Sequence, residues 1–278
     1  MRQIILRALI LAIMVSSCKN DNYVEDNIGL QLYSLRAQFP KDVPGTIAQI
    51  KSWGINVIEG GENTYGMEES KFIDLLNKNG IETASVGASF EELRDNPEET
   101  LRRAKAFGAT YVMCAWIAHK DDHFNIENAK EAVKVFNASG EFLKKEGIQL
   151  VYHPHGYEFK PYEDGTLFDY MAKNEESFDF EMDVYWVVHG GEDPFALFER
   201  YPEKFKLMHL KDMKKGTVGN HTGHGDVETN VVLGSGMIDI KALMLKGKEM
   251  GVEYMFIEDE SSRVVEQIPQ SLDFLRKI

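Results

Sequence analysis

Cysteine is nearly missing from this chain: Cys18 and Cys114 are its only two in 278 residues. That scarcity excludes a disulfide framework and any metal site built on thiolates. Cys114 lies inside the apolar run "TYVMCAW", where a lone cysteine acts as a small core residue. Runs of basic residues are missing as well. The formal net charge is −14, and Lys and Arg occur in short groups such as "LKKEG" and "KDMKKG", with no long basic run. Binding to duplex DNA or RNA depends on Lys and Arg neutralising phosphates, so nucleic acid is a poor partner for this surface. Low-complexity segments and Pro/Gly/Ser-rich linkers are also lacking, and the economical organisation is a single domain.

The N-terminus departs from the rest. Arg2 and Arg7 precede an apolar run from Ala8 to Val15, and small residues lead into Cys18. The run is too short to span a bilayer and has the pattern of a secretory signal. The junction "VSSC" resembles a bacterial lipoprotein signal, which implies lipidation of Cys18 after removal of residues 1–17. The polar tract that follows would then be a tether over residues 18–27. Membrane attachment would be by this lipid only, in the periplasm or at the outer membrane or cell surface.

From residue 28 onward one pattern recurs: a short apolar run, a polar turn, an amphipathic stretch, then Gly leading into the next run. The runs are "IGLQLY" (28–33), "INVIEG" (55–60), "IETASVG" (81–87), "TYVMCAW" (110–116), "IQLVYH" (148–153), "FDFEMD" (178–183), "FKLMHL" (205–210) and "EYMFIE" (253–258). Between them, stretches such as "MEESKFIDLLNKNG" carry helical spacing and end in Gly, which tolerates a left-handed conformation. Strands alternating with helices predict right-handed βαβ units and a parallel sheet. Eight units in this length predict an α/β fold, a single (β/α)8 TIM barrel over residues 28–278. The rival, an open doubly wound sheet, usually shows a Gly-rich phosphate turn after its first strand, and "LQLYSLRAQFP" is not one.

In such a barrel the C-terminal strand ends open on the catalytic face. Those ends read Glu59 (strand two), His153 with His155 (five), Asp183 (six), His209 with Lys211 (seven) and Glu258 (eight). Imidazoles and carboxylates converging from neighbouring strands make a mixed N/O site suited to Zn, Mn, Co or Fe. A divalent cation there removes the repulsion between Asp183 and Glu258 while keeping both ionised. Taken singly, each residue has a plainer reading as a hydrogen-bonded strand end or a helix cap; four consecutive ends bearing a ligand type is the stronger observation. His119, His123, His221 and His224 fall in loops and are expected to face solvent. A long Gly-rich segment, "KKGTVGNHTGHGDVETNVVLGSG", follows strand seven, where it would border the mouth.

With these residues in view the chain resembles the xylose isomerase-like TIM barrels, a group often labelled sugar phosphate isomerase/epimerase. The resemblance runs from about Ile28 to Ile278 through "IGLQLYSLR", "YHPHGYEF", "MDVYWVVHGGEDP", "MHLKDM", "GSGMIDIKAL" and "YMFIEDE", in that order. It implies a divalent metal held by residues after strands five to eight: His153, Asp183, His209 and Glu258. His153 stands where epimerases similar to D-tagatose epimerase carry Glu. The two-carboxylate mechanism of those enzymes therefore does not transfer directly. The "HxH" pattern fits relatives of inosose dehydratase and lyases acting on 3-keto sugars.

The chemistry the resemblance implies is proton removal from carbon next to a carbonyl, through an enediolate. Glu258 or His155 would be the base, Lys211 would stabilise the oxyanion or donate a proton, and Glu59 would hold a substrate hydroxyl. Reprotonation gives isomerisation or epimerisation; loss of a β-substituent gives elimination. The acidic balance offers no long-range attraction to a phosphate dianion, which favours a non-phosphorylated carbohydrate substrate. Three rivals stand beside the enzyme: a sugar-binding lipoprotein whose mouth is lined by Tyr33, Trp116 and Trp186, a nuclease related to endonuclease IV, and a structural lipoprotein. A homo-oligomer is compatible with each.

Overall fold

All eight apolar runs form strands, and the strands close into one parallel barrel. The structure, a computed structural model, describes residues 24, 27–120 and 123–278. The expected signal segment 1–17, the lipidation candidate Cys18 and most of the tether 18–27 lie outside the described residues. Among the described residues no helix is long and apolar enough to cross a membrane.

The strands are β1 (Ile28–Gln31), β2 (Val57–Glu59), β3 (Glu82–Gly87), β4 (Tyr111–Cys114), β5 (Gln149–Tyr152), β6 (Phe178–Asp183), β7 (Phe205–Leu210) and β8 (Tyr254–Ile257). They pair in chain order, and β1 returns to β8 with Ile28 opposite Met255. Strand β1 stops two residues earlier than the apolar run predicts. The Gln31 side chain accepts the Tyr33 backbone N–H at 3.0 Å and starts a 3-10 turn over Leu32–Leu35. That turn swings Tyr33 out to the rim, where it is 49% exposed.

The helices pack outside the ring: α1 (Val43–Ser52), α2 (Glu69–Lys78), α3 (Phe90–Asp95), α4 (Pro97–Phe107), α5 (Ile126–Lys144), α6 (Leu167–Asn174), α7 (Val184–His189), α8 (Pro194–Arg200), α9 (Ile240–Glu249) and α10 (Val264–Leu275). Local chemistry starts them. Asp42 accepts the Gly45 N–H at 2.9 Å ahead of α1, and Asn125 forms a capping box with Asn128 at the start of α5. The glycines ending α1, α2 and α5 (Gly54, Gly80 and Gly147) all take positive φ, at 83°, 61° and 78°. Helix α5 buries Ala129, Ala132, Val133, Phe136 and Leu143, the spacing of one helix face.

Two apolar clusters result. The larger lies between the barrel and its helices. The smaller fills the barrel itself with Val57, Ala84, Tyr111, Met113, Val151, Leu207 and Phe256. Phe256 fits only because Gly29 faces it: a Cβ at position 29 would come within 2.6 Å of the ring. This plug is the floor on which the polar residues stand.

Candidate active site at the barrel mouth

Strand alternation carries the polar layer directly above that floor. Val57, Val151, Leu207 and Phe256 point inward, so Glu59, His153, His209 and Glu258, each two residues on, point the same way. Burial follows from that position: Glu59 and Asp183 are 0% exposed, His209 1% and His153 2%.

Three of the four expected ligands meet. His153, Asp183 and His209 each offer one donor atom, all within 4.8 Å of one another. His153 Nε2 is 3.2 Å from Asp183 Oδ2, and His209 Nδ1 is 3.6 Å from the same oxygen. Asp183 Oδ1 is spent on the Trp186 backbone N–H at 3.0 Å, where it caps α7, so Oδ2 is the oxygen turned to the imidazoles. Glu258 Oε2 lies 3.4 Å from His209 Nδ1, and it also takes an ion pair from Lys211 Nζ at 2.9 Å.

Electrostatics are set by carboxylates outnumbering cations. Burial alone would lower the His209 pKa, but Glu181, Asp183 and Glu258 outweigh it and hold the imidazole well above its usual value. Burial would raise Asp183, yet the hydrogen bond to His153 and the nearby His209 and Lys211 bring it well below the ordinary carboxylate range. Glu258 is likewise held low, because Lys211 and His209 overcome its burial. Lys211, 1% exposed, is held above its usual value by Glu258 and Glu260, whose Oε1 stands 2.6 Å away. Desolvation, followed by the neighbouring His153, pushes His155 well below an ordinary imidazole. Its Nδ1 has no hydrogen-bond partner.

The donor set fits a divalent cation. His153 Nδ1 and His209 Nδ1 are buried without hydrogen-bond partners, and Asp183 Oδ2 faces both rings. Two imidazoles and a carboxylate make a mixed N/O set, with Glu258 beside it as a fourth. The proton that now compensates the carboxylates on His209 is the one a metal would displace.

Above the polar layer opens a cavity of about 360 Å³. Trp116, Trp186, Tyr33, His155 and His224 are among its walls. Trp116 packs between His119, ring centroids 5.0 Å apart, and His224 at 5.5 Å. The long segment after β7 borders this mouth, tied down at its far end and near its middle. Asp212 accepts the N–H groups of Gly234 (2.9 Å), Gly236 (2.8 Å) and Ile238 (3.2 Å), and His221 Nε2 reaches Gly190 O at 2.9 Å. The loop histidines expected in solvent therefore divide. His123 and His224 are exposed, whereas His119 and His221 are half-buried.

Glu258 and His155 line the cavity, whereas Lys211 is buried and paired with Glu258 without lining it. Glu59 does not line the cavity: it lies under His209 and accepts that ring's Nε2–H at 2.7 Å. Glu181 and Glu260 were not singled out from the sequence. Glu181 was legible in "FDFEMD", because alternation puts it on the same inward face as Asp183. Glu260 reaches Lys211 from 49 residues away, and no local pattern signals that pair.

A family model described as xylose isomerase-like TIM barrel matches residues 47–278. Among curated proteins, an inosose dehydratase of Lacticaseibacillus casei is 26% identical over 149 residues, covering 50% of this chain and 49% of that protein. The chain spans about half the length of the curated relatives it matches. Among solved structures, a sugar phosphate isomerase/epimerase from Parabacteroides distasonis superposes with a TM-score of 0.75 at 24% identity, over 90% of this chain and 94% of that one. The IolI protein with a bound zinc atom superposes with a TM-score of 0.68 at 12% identity, over 90% and 95%. At these identities the structural likeness shows the fold.

Proposed function

The chain belongs to the xylose isomerase-like TIM barrel family, and we propose that it removes a proton from the carbon next to a carbonyl of a non-phosphorylated sugar. The observation that carries this reading is the meeting of His153, Asp183 and His209 within 4.8 Å, at the foot of an aromatic-walled cavity. His153, Asp183, His209 and Glu258 would hold a divalent cation of the Zn, Mn, Co or Fe type. When bound, it would polarise the substrate carbonyl and make the neighbouring C–H more acidic.

The remaining steps belong to the protein's own side chains. His155 is the base: its Nδ1 is unpartnered and its ring lines the cavity, so that nitrogen is free to take a proton. Glu258 is less available, because its Oε2 is already paired with Lys211 and faces His209; its role is to carry charge beside the ligands. Lys211 stays protonated and supplies a fixed positive charge toward the enediolate oxygen. The proton taken by His155 has two destinations. Returned to carbon, it completes an isomerisation or epimerisation. Given to a departing β-hydroxyl, it releases water and completes an elimination. Similarity to inosose dehydratases supports the second. The cavity's acids favour an uncharged substrate, since Lys211 is already paired with both Glu258 and Glu260. A sugar binder would explain the aromatic wall, but it gives no use for a buried Lys–Glu pair beside three converging ligands.

The test is solvent-deuterium uptake into keto-sugars and keto-glycosides, followed by NMR, with metal analysis of the same protein. Wild type should exchange one C–H and carry a metal at the mouth, and Asp183→Ala and His209→Ala should lose both the exchange and that mouth ion. Full exchange by metal-free Asp183→Ala would end the proposal. We further propose anchoring through a lipid on Cys18, on the strength of "VSSC"; radiolabelled fatty acid should enter the wild-type protein and not Cys18→Ala.

A further inference from the structure

Two buried carboxylates take no part in the mouth. Glu59 and Glu181 are both 0% exposed and face Nε2 of His209, whereas Asp183 and Glu258 face Nδ1. Glu59 Oε1 accepts from His209 Nε2 and, at 2.8 Å, from Gln31 Nε2. Its other oxygen has no partner, and neither oxygen of Glu181 has one. Glu181 Oε1 stands 3.2 Å from His209 Nε2, but the single hydrogen there is aimed at Glu59. Three carboxylate oxygens are thus sealed from water without a donor. An ionised carboxylate in that state costs several kcal/mol, and an interior offsets that cost either by protonating the group or by completing the site with an ion or water.

The backbone is also irregular at these two positions. The register of β2 against β3 shifts between Ile58 and Glu59, and that of β6 against β7 shifts between Phe180 and Glu181. A shift of this kind re-aims the side chain that follows it. In both strands that side chain is the orphaned glutamate. Glu181 sits level with Leu207, in the apolar layer of the barrel, one step deeper than the mouth ligands.

We propose that the barrel holds a second divalent cation below the mouth, bound by Glu59, Glu181 and Nε2 of His209. One donor atom from each lies within 4.8 Å of the others, the spacing of a single ion's ligands. Two carboxylate oxygens with an imidazole suit Mn²⁺, Fe²⁺ or Zn²⁺. The Nε2 proton leaves to solvent as the ion binds, and His209 then stands between two cations, one on each ring nitrogen. This inference rests on the orphaned oxygens and the register shifts, independently of the reaction proposed above.

Metal counting tests it. The full chain is stripped of metal, incubated with MnCl2 or ZnCl2, dialysed and measured by plasma mass spectrometry. Wild type should retain two equivalents per chain, and Glu181→Gln and Glu59→Gln one each. His153→Ala should also retain one, because it removes only the mouth ion. A wild-type count of one that survives in Glu181→Gln, or a count of zero, overturns the proposal; the wild-type count needs no variant to fold. A single equivalent lost in Glu181→Gln and kept in His153→Ala would uphold the deep site and refute the mouth site. Far-UV melting of each variant checks that it is folded when counted.

Discussion

Lys211 Nζ stands 2.9 Å from Glu258 Oε2 and 2.6 Å from Glu260 Oε1, with Lys211 and Glu258 nearly excluded from solvent. Lys211 Nζ also lies over the rings of Tyr185 and Trp186, 5.3 and 5.4 Å from their centroids. Such a cation cannot leave or change partner without stranding two carboxylates. Lys211→Met is therefore expected to destabilise the fold by about 3–5 kcal/mol, the cost of leaving a buried charge uncompensated. Turnover should fall by roughly 10²–10³, because a fixed charge facing a developing oxyanion is lost. Urea melts measure the first and deuterium exchange the second. Unchanged exchange in a folded Lys211→Met protein would remove Lys211 from the chemistry.

Trp116 offers the cavity an aromatic surface stiffened by neighbours: His119 on one side at 5.0 Å, Tyr157 edge-on at 5.1 Å and His224 at 5.5 Å. It touches none of the ligand set by hydrogen bond, so its contribution should be to binding. Trp116→Ala is expected to raise KM about five- to tenfold with kcat nearly unchanged, the signature of losing roughly 1 kcal/mol of contact present in both ground and transition states. A fall in kcat with KM intact would instead mean that Trp116 orients His155, which meets its ring at 5.6 Å.

The fold was legible because each strand announces itself as an apolar run, and five of the eight (β2, β3, β4, β5 and β8) also have a glycine two or three residues ahead. The mouth was legible because His153, Asp183, His209 and Glu258 each follow an inward-facing apolar or acidic residue by two positions. What hid was depth. "INVIEG" and "FDFEMD" look like regular strands, and nothing in them betrays the register shifts before Glu59 and Glu181. Without those shifts, Glu59 reads as a rim residue for a substrate hydroxyl rather than the acceptor beneath His209. Tyr33 escaped for a related reason: the capture of its N–H by the Gln31 side chain ends a strand that its apolar neighbours would continue.

Behind the aromatic wall, Glu158 is fully buried, hydrogen-bonded to the Tyr152 hydroxyl and accepting the His155 N–H at 3.2 and 3.1 Å. Burial pushes its pKa up to about 7 from 4.5, more than the hydrogen bonds of Tyr152 and His155 pull it down. Between those values the folded protein holds a proton that the unfolded chain has released. This stabilisation is complete below about pH 4.5 and is lost as pH rises through about 7, a change of up to about 3 kcal/mol. Glu158→Gln keeps an acceptor for His155 and has no proton to lose. The melting temperature of Glu158→Gln relative to wild type should therefore climb from pH 4.5 to 7.5 and then level off. A difference that stays flat over that range would mean Glu158 is ionised throughout.

Asp212 is the residue that turns the segment after β7 from a floppy insertion into part of the mouth. One side chain accepts four backbone N–H groups, from Met213 at 2.7 Å, Gly234 at 2.9 Å, Gly236 at 2.8 Å and Ile238 at 3.2 Å. Gly236 lies so close that a Cβ there would meet the Asp212 carboxylate at 2.2 Å, so the loop can close over Asp212 only with glycine at this position. Asp212→Ala leaves those donors to compete for water and should cost about 1–3 kcal/mol. The loss should be local first, because the barrel strands do not depend on it: hydrogen exchange should speed up across residues 214–238 before β7 or β8 is affected. His224 and Gly223 would leave Trp116 as the loop loosens, so sugar affinity should drop together with protection. Global unfolding with uniform exchange would show instead that the loop is integral to barrel closure.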